Sequence, residues 1–188
     1  SGASTAAIEL AEKASLPTVM TLMALGTMPV DHPLSLGMLG MHAARYTNFA
    51  LEECDLLIAV GSRFDDRATG KVAAFCPQAK IIHIDIDPAE LDKIKTAHIG
   101  ITADVQEALN QLLPAVFQNS RKIWVDRSNT LKADFPLDMH DADNPRSHFG
   151  LIRSVAACLD DDAVIATDVG QHQMWVAQAY PLRRPRQW

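Results

Sequence analysis

The sequence is poor in the residue arrangements that disulfide-bonded and metal-binding proteins use. Its three cysteines, Cys54, Cys76 and Cys158, form no C-x-x-C pair, and their odd number leaves one thiol unpaired. This pattern argues against a disulfide framework and favours a reducing compartment. The seven histidines are scattered, with no two at the spacing of helical or zinc-finger ligands. We therefore predict no metal ligand in this chain.

Long apolar runs and positive charge are also scarce. The longest apolar stretches, residues 56–60 and 81–84, are far shorter than the roughly 20 residues that cross a bilayer. The net charge is -6, whereas nucleic-acid backbones are held mainly by clustered lysine and arginine. We predict neither a membrane span nor a nucleic-acid partner. Residues 1–14 resemble an amphipathic helix rather than a signal peptide, so we expect a longer chain with an unobservable targeting segment.

The composition is that of a folded protein, with 48% apolar and 21% charged residues in 188. Runs of leucine, isoleucine and valine at residues 55–60 and 80–86 predict strands buried on both faces, as in parallel sheets covered by helices. A further strand is predicted at residues 18–22, and helices at 42–53, 66–75, 104–116 and 121–133. Alternating strands and helices indicate an α/β fold with a doubly wound, mainly parallel sheet.

The second part of the chain is predicted to begin another domain. Residues 134–146 contain two prolines and four aspartates with little apolar periodicity, which is typical of a linker. A helix at 147–159, a short buried strand at 163–167 and a helix at 171–179 follow. We therefore divide the chain into a first domain at 1–133, a linker at 134–146 and the start of a second, truncated α/β domain at 147–188.

Ligands of parallel α/β proteins bind beyond the carboxyl ends of the strands. In the segment after the strand at 55–60, Gly61 allows a tight turn, and Arg63 and Arg67 can contact a phosphate. The alternative is that these arginines simply pair with Asp65 and Asp66.

Asp85 ends the next strand, where an acidic side chain can accept hydrogen bonds from ribose hydroxyls. Asp87, followed by Pro88, is better explained as a helix N-cap. A G-x-G-x-x-G motif is missing, which disfavours an ordinary NAD site. Residues 35–42 (SLGMLGMH) suit either a loop that approaches a flat ring or plain apolar packing.

Longer strings decide between these readings. TLMALG (21–26), HPLSLGMLGMH (32–42), DLLIAVGSRFDDRATGK (55–71), AKIIHIDIDPAE (79–90) and VGQHQMWVAQ (169–178) occur in this order. They closely resemble the large catalytic subunit of the acetohydroxyacid (acetolactate) synthase family, and the resemblance covers nearly the whole chain. It implies that the first domain is a central FAD-binding domain whose first strand precedes Ser1, and that residues 147–188 open the thiamine-diphosphate domain.

The resemblance also implies site residues, which we carry over position by position. The FAD contacts would be Thr21, Leu22, Leu39, Gly40, Met41, His42, Gly61, Ser62, Arg63, Phe64, Asp65, Asp66, Arg67, Asp85, Ile86, Asp104 and Val105. The thiamine-diphosphate phosphates would meet Gly170, Gln171 and His172. No catalytic residue and no Mg²⁺ ligand is expected within this chain, since the family's glutamate and its Mg²⁺ motif belong to other segments.

The implied activity is the condensation of pyruvate with pyruvate or 2-ketobutyrate, with loss of carbon dioxide, in branched-chain amino acid biosynthesis. FAD would be structural, and thiamine diphosphate with Mg²⁺ would serve the reaction. The implied partners are a second catalytic subunit and a regulatory small subunit, in a bacterial cytoplasm. Two alternatives stay open: the central domain of another thiamine-diphosphate lyase or oxidase, and a docking module for the regulatory subunit.

Overall fold

The computed structural model describes residues 2–188, so that Ser1, with which the predicted first helix and first domain begin, lies outside the described residues. Five strands and seven α-helices form within this range. The strands are β1 (Thr18–Met20), β2 (Ser35–Met38), β3 (Leu56–Val60), β4 (Lys80–Asp85) and β5 (Ile99–Thr102). The helices are α1 (Ser4–Ala14), α2 (Arg45–Glu53), α3 (Asp66–Thr69), α4 (Val105–Leu112), α5 (Lys122–Asp134), α6 (His148–Ala157) and α7 (Gln171–Ala179).

The strands form two parallel sheets. One contains β1 and β2, and the other has the order β3-β4-β5. In the larger sheet Leu56 pairs with Lys80 and Ile82 pairs with Ile99. Because every pairing is parallel and α-helices or 3-10 turns connect the strands, the predicted α/β fold class is confirmed.

Helix α1 connects the two sheets. Its Ala11 packs with Met20 of β1, while Ala6 and Leu10 pack with Ile84 of β4. Side chains of the β1 and β3 regions also pack against two shared clusters. Leu16 and Val60 pack against one cluster, and Val19 and Leu57 pack against another. The two sheets therefore lie with β1 and β3 towards each other, and each of these strands has one described strand partner.

Most predicted helices are observed, with shifted ends. The prediction of one helix at residues 66–75 is wrong, because α3 ends at Thr69, Gly70 takes φ 58°, and a separate 3-10 turn forms at Val72–Ala74. Asp87 caps a 3-10 turn that has Pro88 at its first position, which confirms the capping hypothesis. The strands β2 and β5 were not predicted at all.

Two predictions about buried strands are also wrong. Residues 163–167 form no strand: Val164 is 75% exposed, and Ile165 donates its N–H to the Gln187 carbonyl instead of joining a ladder. A strand requires a neighbour that satisfies its backbone, and none of the described segments supplies one here. Burial on both faces holds for most of β4 but not for Leu56 of β3, which is 42% exposed on a strand with one described partner.

The last thirteen residues complete the core of the first sheet. Ala177, Tyr180 and Leu182 belong to one buried cluster with Met20 and Met38. A Cβ added at Gly26 would lie 2.1 Å from the Arg184 carbonyl oxygen, so the turn after β1 touches this terminal segment directly. Packing around β1 and β2 therefore depends on residues more than 130 positions away in the chain.

Replacing Leu182 with alanine tests this packing. Leu182 is 0% exposed, so Leu182→Ala should lower the free energy of unfolding by about 2–5 kcal/mol through lost burial and a cavity. Leu159→Ala is the matched control, because Leu159 is 41% exposed and should cost less than about 0.5 kcal/mol. Urea unfolding monitored by circular dichroism measures both. Equal losses would mean that the terminal segment does not belong to the core.

Candidate functional site

The carboxyl ends of β1 and β2 lie side by side. The Leu39 N–H, just after β2, donates to the Met20 carbonyl at the end of β1 with an N···O distance of 2.9 Å. Thr21 and Leu22 follow that carbonyl, and Leu22 opens a 3-10 turn at Leu22–Ala24. Two of the predicted FAD segments, 21–22 and 39–42, are therefore adjacent.

The loop after β2 is joined to the loop after β3. The Met41 N–H donates to the Arg67 carbonyl at 3.1 Å, and Gly40 takes a φ of 101°. A Cβ on Gly40 would lie 2.3 Å from the Arg67 oxygen, so only glycine permits this approach. This contact, which we call the Gly40–Arg67 joint, connects the carboxyl edges of the two sheets.

The remaining predicted segments gather at the carboxyl edge of the larger sheet. The Gly61 N–H donates to the Ile84 carbonyl at 2.8 Å, and the Ala103 N–H donates to the Asp85 carbonyl at 3.0 Å. A Cβ on Gly61 would lie 3.8 Å from Val105 Cγ2. Residues 61–67, 85–86 and 104–105 are therefore neighbours, and all seventeen predicted FAD residues lie in the segments that end or follow the five strands.

Both arginines of the 61–67 loop remain largely free. Arg63 Nη2 is 3.7 Å from Asp65 Oδ2, and Arg67 Nε is 4.0 Å from Asp66 Oδ2. These are long, exposed ion pairs with side chains 71% and 77% accessible on the arginines, so each contributes less than about 1 kcal/mol. The neighbour pairing that we considered does occur, but it leaves both guanidinium groups able to meet an anion.

Asp85 combines burial with an available oxygen. Its Oδ1 accepts the Asp87 N–H at 3.0 Å, whereas none of the described residues donates a hydrogen bond to its Oδ2. The residue is 7% exposed, and its Oδ2 lies 4.0 Å from His83 Nε2, beyond hydrogen-bonding distance. One carboxylate oxygen is therefore left for a donor from outside the chain.

His83 was missed as a site residue by sequence reasoning. It is fully buried in β4, its Nε2 donates to the Ser62 carbonyl at 2.9 Å, and its ring meets Phe64 edge-on at 5.0 Å. These contacts hold the start of the 61–67 loop against the sheet. The available signal was a histidine between two isoleucines within the strand run KIIHIDI.

Two of the predicted acidic site residues cap helices. Asp65 Oδ1 accepts the Ala68 N–H and caps α3, and Asp104 Oδ1 accepts the N–H groups of Gln106 and Glu107 and caps α4. Their oxygens are therefore already used in part by the fold. Met41 and Ile86, in contrast, are 61% and 67% exposed at the same edge.

The predicted thiamine-diphosphate residues form the start of α7. Gly170 is the N-cap and offers no side chain, so the first N–H groups of the helix are not capped by one. Gln171 and His172 are exposed there. At the other end of α7, the Gln178 side chain donates to the His42 carbonyl at 3.1 Å. Helix α7 thus extends from the predicted thiamine-diphosphate segment to the predicted FAD segment that ends at His42. No sequence pattern predicted this contact.

Among residues 2–188, no group of three or more histidine, cysteine, aspartate or glutamate side chains is arranged to hold a metal ion. None of the helices in the same range is long and apolar enough to cross a membrane.

The fold and this edge define a parallel α/β domain with a composite loop site at its carboxyl end. The family of the central domain of thiamine pyrophosphate enzymes matches residues 1–112. The chain belongs to this family, and the match covers all five described strands and helices α1 to α4.

Individual relatives agree over almost the whole chain. The large subunit of acetolactate synthase isozyme 1 from Escherichia coli (strain K12) is 63% identical over 180 residues, which is 96% of this chain and 32% of that protein. Chloroplastic acetolactate synthase 1 from Oryza sativa subsp. japonica is 46% identical, covering 94% and 28%. A probable acetolactate synthase large subunit from Methanocaldococcus jannaschii is 42% identical, covering 99% and 33%. The chain spans about a third of the length of these relatives.

The Gly40–Arg67 joint can be tested by adding one methyl group. Gly40→Ala should lower the free energy of unfolding through backbone strain at positive φ, about 1–3 kcal/mol, and through overpacking against the Arg67 carbonyl, about another 1–3 kcal/mol. Gly70→Ala is the control, because Gly70 also has positive φ but open space around its Cβ position. Urea unfolding should show a larger loss for Gly40→Ala. A loss equal to that of the control would contradict the close approach.

Proposed function

We propose that this chain is the cofactor-holding central part of an acetolactate synthase large subunit. The Gly40–Arg67 joint carries the proposal, because it brings segments of both sheets together at one edge. The named relatives, all described as acetolactate synthases, supply the activity. In this reading the chain binds FAD at the joint and contributes to a thiamine-diphosphate site at α7.

The side chains at this edge fit FAD. Arg63 and Arg67 are accessible cations suited to the pyrophosphate, and Asp85 Oδ2 is suited to a ribose hydroxyl. Met41 and Ile86 present apolar surface that can pack on a flat ring system. Phosphates, sugar and ring thus each have a matching chemical group among the predicted residues.

The start of α7 fits the phosphates of thiamine diphosphate. Uncapped N–H groups at a helix N-terminus bind anions, and Gly170 leaves them accessible. When bound, thiamine diphosphate with Mg²⁺ supplies the nucleophilic carbon that joins two 2-keto acids with loss of carbon dioxide. The role of Gly170, Gln171 and His172 is to bind and orient, and the Mg²⁺ ligands are assigned to segments outside this chain.

The whole protein would need parts that this chain does not supply. We propose that a further parallel strand, from a segment outside residues 1–188, pairs with β1 and β3, since each has one described partner and α1 packs across both sheets. The proposal keeps residues 134–146 as a linker and 147–188 as the start of the thiamine-diphosphate domain. In this proposal the whole protein also binds a second catalytic subunit and a regulatory small subunit, and it lies in a bacterial cytoplasm.

Flavin affinity tests the role assigned to Asp85. Asp85→Asn keeps an oxygen for the Asp87 N–H but removes the charge that strengthens a bond to ribose, so the FAD dissociation constant should rise about tenfold. Asp87→Asn is the control, because asparagine also caps the 3-10 turn. Fluorescence titration with FAD measures both variants. Unchanged affinity in Asp85→Asn would remove Asp85 from the site.

Activity tests the proposal as a whole. The protein that contains this segment should form acetolactate from pyruvate when thiamine diphosphate, Mg²⁺ and FAD are present, whereas residues 1–188 alone should form none. Colorimetric detection of acetoin after acidification measures the product. Flavin absorbance without flavin turnover separates this synthase from an oxidase. Acetolactate formed by residues 1–188 alone would contradict the proposal that catalysis needs segments outside this chain.

A further inference from the structure

Two of the three cysteines lie close together at the amino ends of neighbouring strands. Cys54 directly follows α2, two residues before β3, and Cys76 lies four residues before β4. The β3–β4 ladder pairs Leu56 with Lys80, and the Lys80 N–H donates to the Asp55 carbonyl at 2.8 Å. This register brings the chain before β3 next to the turn that precedes β4. The pairing of the backbone therefore places the two thiols at the same edge.

The side chains meet in one apolar cluster. Cys76 is 2% exposed and packs with Leu51 and Ala79, and Cys54 packs against the same cluster from a half-buried position. The Cys54 sulfur is also 3.2 Å from the Leu51 carbonyl oxygen, which turns it back into the cluster. Both thiols therefore lie in the same apolar cluster, whereas Cys158 is exposed and lies beyond α6.

The shared cluster makes the two thiols chemically different. The neighbouring Cys76 thiol lowers the pKa of Cys54, while the neighbouring Cys54 thiol and burial raise the pKa of Cys76. Cys54 is thus the thiol that ionises first and that solvent reaches. The Lys95 ammonium, held 2.7 Å from the Phe75 carbonyl oxygen, adds a positive charge beside Cys76. This is the asymmetry of a reacting and a resolving cysteine.

We propose that Cys54 and Cys76 form a reversible disulfide when the protein meets a hydroperoxide. The Cys54 thiolate attacks the peroxide, the O–O bond breaks, and the departing alkoxide takes up a proton to leave as an alcohol. Cys54 is thereby oxidised to a sulfenic acid. The Cys76 sulfur then attacks the Cys54 sulfur, the S–O bond breaks, and the hydroxide leaves with the Cys76 proton as water. A small dithiol reductant reverses the step.

The bond would close a loop that contains the candidate site. Residues 55–75 include β3, the 61–67 loop and α3, so the disulfide joins the two ends of the segment that carries Arg63 and Arg67. A covalent closure restricts the open conformations of such a segment. Oxidation should therefore slow amide exchange in residues 61–71 by several-fold, and reduction should restore it.

Peptide mapping tests the bond directly. The reduced protein is treated with hydrogen peroxide, the remaining thiols are blocked with N-ethylmaleimide, and trypsin is added without reductant. Cleavage after arginine and lysine puts Cys54 in peptide 46–63, Cys76 in 72–80 and Cys158 in 154–183. The expected product is peptide 46–63 linked to 72–80, and dithiothreitol should separate the two.

Cysteine variants and amide exchange test the same disulfide independently. Cys158→Ser is the matched control and should give the same linked peptide, whereas Cys54→Ser should not. Recovery of 46–63 and 72–80 as separate blocked or over-oxidised peptides from the wild-type protein, or linkage of either to 154–183, would overturn the proposal. A linked peptide without slower exchange in residues 61–71 would overturn the closure of the site segment.

Discussion

The close approach of Gly40 to the Arg67 carbonyl is the contact on which the candidate site depends. The two sheets share no backbone ladder between described strands, so their carboxyl edges would otherwise be independent surfaces. The Met41 N–H fixes the loop after β2 to the loop after β3, and the absence of a side chain at Gly40 makes room for it. Segments from both sheets then form one continuous edge, and a ligand that spans it contacts both.

Packing of helices against the sheets fixes the position of this edge. Helix α1 packs on both sheets, and the fully buried Leu109 of α4 adds to the same cluster under β4. Within β4, alternate side chains face opposite sides, so Ile84 enters that cluster while His83 reaches Ser62 on the other side. A single strand thereby contributes apolar burial, a tether for the 61–67 loop and the carboxylate of Asp85.

The sequence allowed the strand ends to be located, but not the contacts between them. Runs such as DLLIAV and KIIHIDI predict strands because buried parallel strands are apolar, and the site residues follow from where these runs stop. The strands β2 and β5 are short and contain glycine, so their pattern is weak. Residues 163–167 have a strand-like composition, yet pairing needs a partner strand, which local composition does not encode. The Gln178 contact with His42 and the burial of Leu182 join distant segments and leave no local pattern.

Hydrogen–deuterium exchange of the protein with and without FAD tests the central claim most directly. If the joint creates one dinucleotide site, FAD should slow exchange together in residues 21–22, 39–42, 61–67, 85–86 and 104–105, with one midpoint in a titration. The edge would then behave as a single site made from both sheets. Protection confined to the segments of one sheet, or different midpoints for the two sheets, would contradict this account.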